Sequence, residues 1–562
     1  MKKQLLFIIC FLASIQLVAQ EMKMTWSQEI KMTKKTGFYN TILGKNENLL
    51  YVKFTTFSKI RIVAFDKITM KEKFSVPVKG YPENKATKAD FKGLDYYKTV
   101  IFNNSVYTFW VREDKEKDEL FVQTYDAALK ITKPLKKIYE LKSFKGAKKK
   151  AELFIMVNKS LGEKILIGGE AAGAKGDNVK IEYKVLNADF TFSNAGQTEL
   201  PLQIKGRSDE LSSNYSFGDD GNLHVKAFNT LTIINIEKGS KVTYVVESKN
   251  KKIFDFEYIY DQSTIRVFGL FCDLTKDKSG NDNHGIYYAI INSSTLKLEN
   301  ENFTYFSKEQ LDKLFADDKT DRKDRSGLFG GKKGKDSEDA SLRTNYSIEN
   351  VLKEGKDLIL ICSIMYDYTV TYTTTQNGVT TTRTEPRCNK RNVTAFRINE
   401  KGEIIWSTNV NRNITYGRHS VYDVNSIKKD NTIYVTYGSD FITDQGEKKK
   451  KKCCAIHIGA TKDMRDKIAY ATFDLTTGAA AVKEIVVNQP KTPKKERKTV
   501  DPTNIEVLNG DFYIISEKYN IYQRPNTFSL IGLLFRTGKL QIGYTTINST
   551  VTPTKTPPSK TK

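Results

Sequence analysis

A polar turn followed by an apolar strand recurs eight times along this chain, and that repeat limits the fold more than any other feature. The turns are rich in Asn, Asp and Gly. Asn46-Glu47-Asn48 precedes LLYVKF, Asn103-Asn104 precedes VYTFWV, Gly162-Glu163-Lys164 precedes ILIGG, and Asp219-Asp220-Gly221-Asn222 precedes LHVKAF. The pattern returns at Asp261-Gln262, Glu354-Gly355-Lys356, Lys429-Asp430-Asn431 and Asn509-Gly510. These residue types tolerate the tight or left-handed backbone that a sharp strand reversal demands. Taken at Asn48, Asn104, Glu163 and Gly221, the first turns fall 56, 59 and 58 residues apart.

A second element follows each turn: two strands around a further polar reversal, as in RIVAFDKITMKEKFSV, VTAFRINEKGEIIWS and SLIGLLFRTGKLQIGY. A further strand precedes the turn, such as AELFIMVN before Gly162. The period is about half the ~100 residues of a sandwich domain. Four strands per copy therefore predict an all-β chain forming a single β-propeller of seven to eight four-stranded blades, with eight the closer fit. The 29 Tyr and 31 Phe agree, since aromatic side chains suit a pleated surface. The early segment TWSQEIK is placed to add an outer strand to the last blade, which would close the ring and remove an exposed edge.

The ends and insertions have their own character. Met1-Lys2-Lys3, then a short apolar run to Ala19-Gln20, reads as a signal peptide over 1–20, too short to span a bilayer. It implies export to the periplasm, the outer-membrane surface or the exterior. The propeller is expected over 21–550 and a disordered tail over 551–562. Within 307–345, Ser307–Phe315 reads as a short helix capped by Ser307 with apolar positions 311, 314 and 315, followed by a charged, Gly-rich stretch of disordered type. Residues 366–385, YDYTVTYTTTQNGVTTTRTE, form a hairpin signal around Asn377-Gly378 and are too polar for a core, so the hairpin should project. Lys-rich loops are expected at 440–452 and 488–500.

The net charge of +24 first suggests nucleic acid. Yet Lys is spread along the chain, its densest runs fall between strands, and an exported protein meets little nucleic acid. No nucleic-acid partner is expected; peripheral contact of the Lys-rich loops with anionic lipid or glycan explains the charge more simply.

Signals of catalysis are weak. The four His lack ligand spacing, and no His-Glu-x-x-His, Walker A or Gly-x-Ser-x-Gly sequence occurs. Cys453-Cys454-Ala455-Ile456-His457 brings soft ligands together but needs two more for zinc, so a strand start is the simpler reading. Asp273, Asp277, Asn281 and Asp282 lack the alternate spacing of a calcium loop. No catalytic, cofactor or metal residue is expected. In an oxidising compartment Cys388 with Cys453 or Cys454 is the candidate disulfide. Tyr366, Tyr368, Tyr372 and Arg383 are the candidate partner-binding residues, with cross-strand packing the competing explanation of the aromatics. These features suggest a non-catalytic binding or scaffold protein of the cell envelope or extracellular space, contacting an envelope protein or glycan through the propeller face and loops. The alternative is a polysaccharide hydrolase or lyase with paired carboxylates in the central channel.

Two resemblances add to this. GLFCDLTKD…HGIYYAIINSSTLKLENENFTYFSKEQLDKLF, EGKDLILICSIMYDYTVTY and VTAFRINEKGEIIWSTNV resemble a group of exported propeller-like proteins of Bacteroidota, over about a third of the chain. That resemblance implies the fold and an envelope or extracellular location, and carries no activity. Ala395, Gly402 and Trp406 resemble the blade-docking pattern of quinoprotein dehydrogenases, and the vicinal pair Cys453-Cys454 resembles the pair that lies against the quinone in those enzymes. With only three Trp in the chain, this second resemblance implies blade packing rather than a cofactor.

Overall fold

The computed structural model describes residues 22–547, apart from 80–90, 143–151, 172–177, 204–213, 315–341, 418–423, 438–466, 487–499, 520–537 and gaps of five residues or fewer. The expected signal peptide and tail, the loop at 440–452, and Cys453 and Cys454 lie outside the described residues. So does most of 488–500, although Val500 already begins a strand.

Eight antiparallel sheets follow one another around a ring, and seven are four-stranded meanders in sequence order. The first blade runs Phe38–Lys45, Leu49–Thr55, Ile60–Asp66 and Glu72–Lys79 from the axis outward. The innermost strands of the others are Asp95–Phe102, Glu152–Asn158, Asn214–Phe217, Lys251–Asp261, Tyr346–Glu354, Asn425–Lys429 and Val500–Leu508. Neighbouring innermost strands meet, and Val500–Leu508 of the last blade meets Phe38–Lys45 of the first. The eight-bladed reading holds.

Apolar side chains explain why sheets assemble this way. The core divides into eight clusters, each shared by two neighbouring blades. Leu50, Val52 and Phe65 of the first blade pack with Tyr513, Ile515 and Ile542 of the last. A middle strand has a neighbouring blade on each face, so it cannot alternate polar with apolar residues. That is why Thr264–Asp273 is buried from Ile265 onward, whereas the outer strand Leu298–Tyr305 has no buried residue.

The ring closes as the early segment suggested. Met22–Trp26 pairs with Gly538–Ile547, from Met22 opposite Ile547 to Trp26 opposite Gly543, and supplies the last blade's outer strand. Ile30–Met32 pairs with the same strand further along. Between the two segments Ser27 is buried; its backbone N–H donates to the Ile542 carbonyl at 2.8 Å, and its Oγ accepts from the Ile542 N–H at 2.9 Å. One strand from each end of the chain thus completes a single sheet.

Blades also interlock through the aromatic and glycine positions that carried the second resemblance. Trp406 lies against Gly478 of the next blade, its Nε1 donating to the Leu475 carbonyl at 3.0 Å. Gly402 lies in the same way against Tyr288 of the preceding blade. Both glycines have positive φ, +71° and +81°, and a Cβ on either would stand 2.6 Å from the facing side chain.

The expected helix is present as Lys308–Leu314, with a reciprocal cap: Ser307 Oγ accepts from the Gln310 N–H at 3.1 Å, and Gln310 Oε1 accepts from the Ser307 N–H at 2.8 Å. Leu311 is buried between the fifth and sixth blades. No helix among the described residues is long and apolar enough to cross a membrane.

Candidate functional site

Strand parity decides which loops share a face. A four-stranded antiparallel meander makes three reversals, so the chain enters and leaves each blade on the same side of the ring. The second reversal joins that side; the first and third point the other way. On the first-and-third side the reversals are short. The third is a five- or six-residue turn built around an Asp or Asn: Asp66 Oδ1 accepts from the Thr69 N–H at 2.8 Å, Asn399 Oδ1 from the Lys401 N–H at 2.9 Å, and Asp474 Oδ1 from the Thr477 N–H at 2.7 Å.

The longer connections leave from the opposite side. The strand ends flanking 80–90, 143–151, 204–213, 315–341, 438–466, 487–499 and 520–537 all lie there. The Lys runs Lys148–Lys150, Lys448–Lys452 and Lys494-Lys495 belong to these connections, while the short turns opposite carry acidic residues at least as often as basic ones. The helix Lys308–Leu314 sits on the insertion side as well.

The hairpin rises from this face. Asp357–Gln376 and Val379–Ile398 are each 20 residues long and, past one register shift between Ser363 and Ile364, stay paired to Gln376 opposite Val379. Sequence reading placed the projection at 366–385, but its base is supported for longer. The third neighbour, Ile404–Gly417, continues to Gly417 opposite Arg387, whereas the inner strand stops at Tyr346 opposite Ile364. Beyond the Tyr368–Arg387 pair the two strands pair only with each other among the described residues. At about 3.3 Å per residue, these last eight residues extend roughly 26 Å. Tyr366, Tyr368 and Tyr372 stand opposite Asn389, Arg387 and Arg383, so of the four candidate partner-binding residues Tyr372 and Arg383 face each other on the projecting ribbon and Tyr366 and Tyr368 stand on its supported base. Cys388 stands on the same ribbon opposite Asp367. Cys272 and Cys362 are buried thiols.

The channel has its own chemistry at the short-turn end. A cavity of about 240 Å³ opens between the innermost strands of the last, first, second and third blades, lined by Leu43, Lys45, Lys98, Val100, Val157 and Leu508 among others. Its described lining holds no carboxylate. Lys45 Nζ pairs with Asp511 at 2.5 Å, and Lys67 Nζ stands 3.9 Å from the same carboxylate. Lys98 Nζ donates instead to the Ile155 carbonyl at 3.0 Å. Lys98 is open to channel water, but the surrounding protein desolvates its ammonium and holds it below the usual lysine range.

Two histidines are structural. His224 Nε2 pairs with Asp220 at 2.9 Å, both buried, with the Tyr258 ring edge-on at 5.4 Å. Burial pushes Asp220 up, but hydrogen bonds and charge from His224 and bonds from Asn222 outweigh it and leave the carboxyl below its usual range. The nearby Ser216 hydroxyl bonds Tyr258 Oη, not His224, so this is not a Ser/His/Asp relay. His284 Nδ1 accepts from the Asp273 N–H at 3.2 Å. Among the described residues no three His, Cys, Asp or Glu side chains gather as a metal would require. Asp273, one of the clustered oxygen residues, is occupied instead by Thr275 and Tyr305.

No family model matches the chain, and no curated protein matches it. Solved propellers resemble it at low identity. The WD40 domain of SCAP from fission yeast is 7% identical, covering 93% of this chain and 98% of that one, with a TM-score of 0.36. The β-propeller domain of Nup133 from Vanderwaltozyma polyspora is 8% identical, covering 81% and 100%, with a TM-score of 0.33. The propeller domain of the Trilobed protease from Pyrococcus furiosus is 11% identical, covering 71% and 99%, with a TM-score of 0.27. The fold assignment rests on the chain's own eight sheets and their closure.

Proposed function

We propose that this chain is a non-catalytic binding or scaffold protein that holds a protein partner on its insertion face, at the cell envelope or outside the cell. The observation that carries the reading is the ribbon: eight residue pairs that, among the described residues, extend past every supporting strand on the face from which the long connections leave. A two-stranded ribbon offers backbone donors and acceptors along both outer edges, and an extended segment of another protein satisfies them by strand addition. That geometry favours a protein over a glycan. The Lys runs attached to the same face favour an acidic partner surface and a salt-sensitive encounter.

The test compares the full chain with a variant in which residues 369–386 are replaced by Asn-Gly, so that the ribbon ends at the Tyr368–Arg387 pair. The variant should keep the far-ultraviolet circular dichroism and thermal midpoint of the parent, because among the described residues the removed strands pair only with each other. Captured from envelope extract, one acidic protein should be held at least tenfold more weakly by the shortened chain, and should elute from the full chain as salt rises. Equal recovery by both chains removes the ribbon from the account. Degradation of a polysaccharide by the purified chain would replace the binding reading with the hydrolase or lyase one.

A further inference from the structure

The cavity at the short-turn end of the channel is remote from the ribbon and has a different chemistry. Two lysines, Lys45 and Lys98, line it together with Thr99 and aliphatic side chains. Lys45 and Lys67 share the Asp511 carboxylate, so their charge is offset locally. Lys98 has only the neutral Ile155 carbonyl as its hydrogen-bond partner among the described residues, and it lines the cavity from mid-strand. The other walls are Leu43, Val100, Val157 and Leu508. Lys98 is open to channel water, but the protein around it disfavours its charge, and an anion that enters the cavity offsets that cost. The volume, about 240 Å³, equals roughly eight waters at ~30 Å³ each, below the usual range of drug-sized pockets. It suits a ligand of about that many non-hydrogen atoms.

We infer that this channel cavity is a binding site for a small amphiphilic monocarboxylate, with the carboxylate on Lys98 Nζ and the hydrocarbon against Leu43, Val100, Val157 and Leu508. Two features distinguish it from a generic basic surface. The cation stands in a cavity closed on several sides by four blades, and a hydrophobic wall lies within the same small volume. A multivalent anion such as phosphate gains the charge but wastes the wall, and a neutral alkane gains the wall but leaves the ammonium alone.

The experiment uses the full chain with hexanoate as the probe and hexanamide as its uncharged counterpart, followed by saturation-transfer NMR and titration calorimetry. Hexanoate should bind, hexanamide at least tenfold more weakly, and Lys98→Met should abolish the hexanoate signal while Lys98→Arg retains it. Val157→Phe, which fills the cavity and leaves Lys98 in place, should abolish binding too. Lys31→Met, on an exposed edge far from the channel, should bind as the parent does. Affinity should fall with rising pH before an ordinary lysine would lose its proton, since burial lowers Lys98. Thermal unfolding of each variant checks that it is folded. Equal binding of hexanoate and hexanamide, unchanged affinity in folded Lys98→Met, or no hexanoate binding at millimolar concentration would each overturn the inference.

Discussion

Replacing Gly478 by Ala should destabilise the ring strongly, and about half of that cost should vanish when Trp406 is also removed. Two effects act at Gly478. Its φ of +71° lies where an L side chain costs roughly 1–2 kcal/mol. Separately, the new Cβ would stand 2.6 Å from Trp406 Cδ2 and 2.8 Å from Cε3, inside any tolerated contact. The indole is held by its bond to the Leu475 carbonyl, so it can retreat only by giving up that bond and the packing between blades, about 1–3 kcal/mol more. Trp406→Ala alone forfeits a half-buried indole and one hydrogen bond, about 3 kcal/mol. In the double variant the collision is gone and only the backbone strain remains. The double cost should therefore fall short of the sum of the single costs by about 1–3 kcal/mol. Urea unfolding followed by far-ultraviolet circular dichroism measures all four corners of the cycle, provided the slopes agree. If Gly478→Ala costs the same with and without Trp406, the two residues do not dock and the blade-interlock argument is wrong.

Other expected outcomes follow from single contacts. Ser27→Ala removes the hydroxyl that accepts from Ile542 in a buried position, and should cost about 1–2 kcal/mol in urea titrations; an unchanged midpoint would deny that Ser27 fastens the ring. Ser307→Ala removes one half of the reciprocal cap and should raise amide exchange in Lys308–Leu314 by about fivefold, from about 1 kcal/mol, while leaving the blades unaffected. Burial alone would raise Asp273, but hydrogen bonds from Thr275 and Tyr305 and the charge of Lys251 hold its carboxyl at about 2. A depressed folded-state value stabilises the protein above the unfolded carboxylate range and is lost as pH falls through the folded one. The stability gap between the parent and Asp273→Asn should therefore be about 2 kcal/mol near neutrality and close between about pH 4 and pH 2. A gap that persists at pH 2 would assign it to packing instead.

The fold was legible in this sequence because strand reversals are local chemistry. Asn104 and Asp430 at positive φ, and Gly221, Gly355 and Gly510 with them, stand in the turns that announced the repeat. Middle strands buried on both faces wrote themselves as apolar runs such as LLYVKF. The early segment betrayed itself only through its place, since nothing local in TWSQEIK names Gly538–Ile547 as its partner. The candidate site was legible in part. The Asn-Gly dipeptide announced a hairpin, and its strands pair up to Gln376 opposite Val379, but its supported base depends on how far Ile404–Gly417 continues, which pairing across the sheet decides. The cavity had no sequence signal at all. Lys98 is one of many lysines, and its isolation depends on Lys45 meeting Asp511, a residue 466 positions away in the chain.

The most direct measurement of the central claim is site-specific photo-crosslinking from the two faces of the ring. A crosslinking amino acid at Thr374, near the ribbon tip, and another at Ile68, an exposed residue in a short turn opposite, report which face meets the partner. The account predicts that Thr374 captures a single protein whose yield falls with salt, and that Ile68 captures none above background. Capture of that protein from Ile68 and not from Thr374 would contradict it.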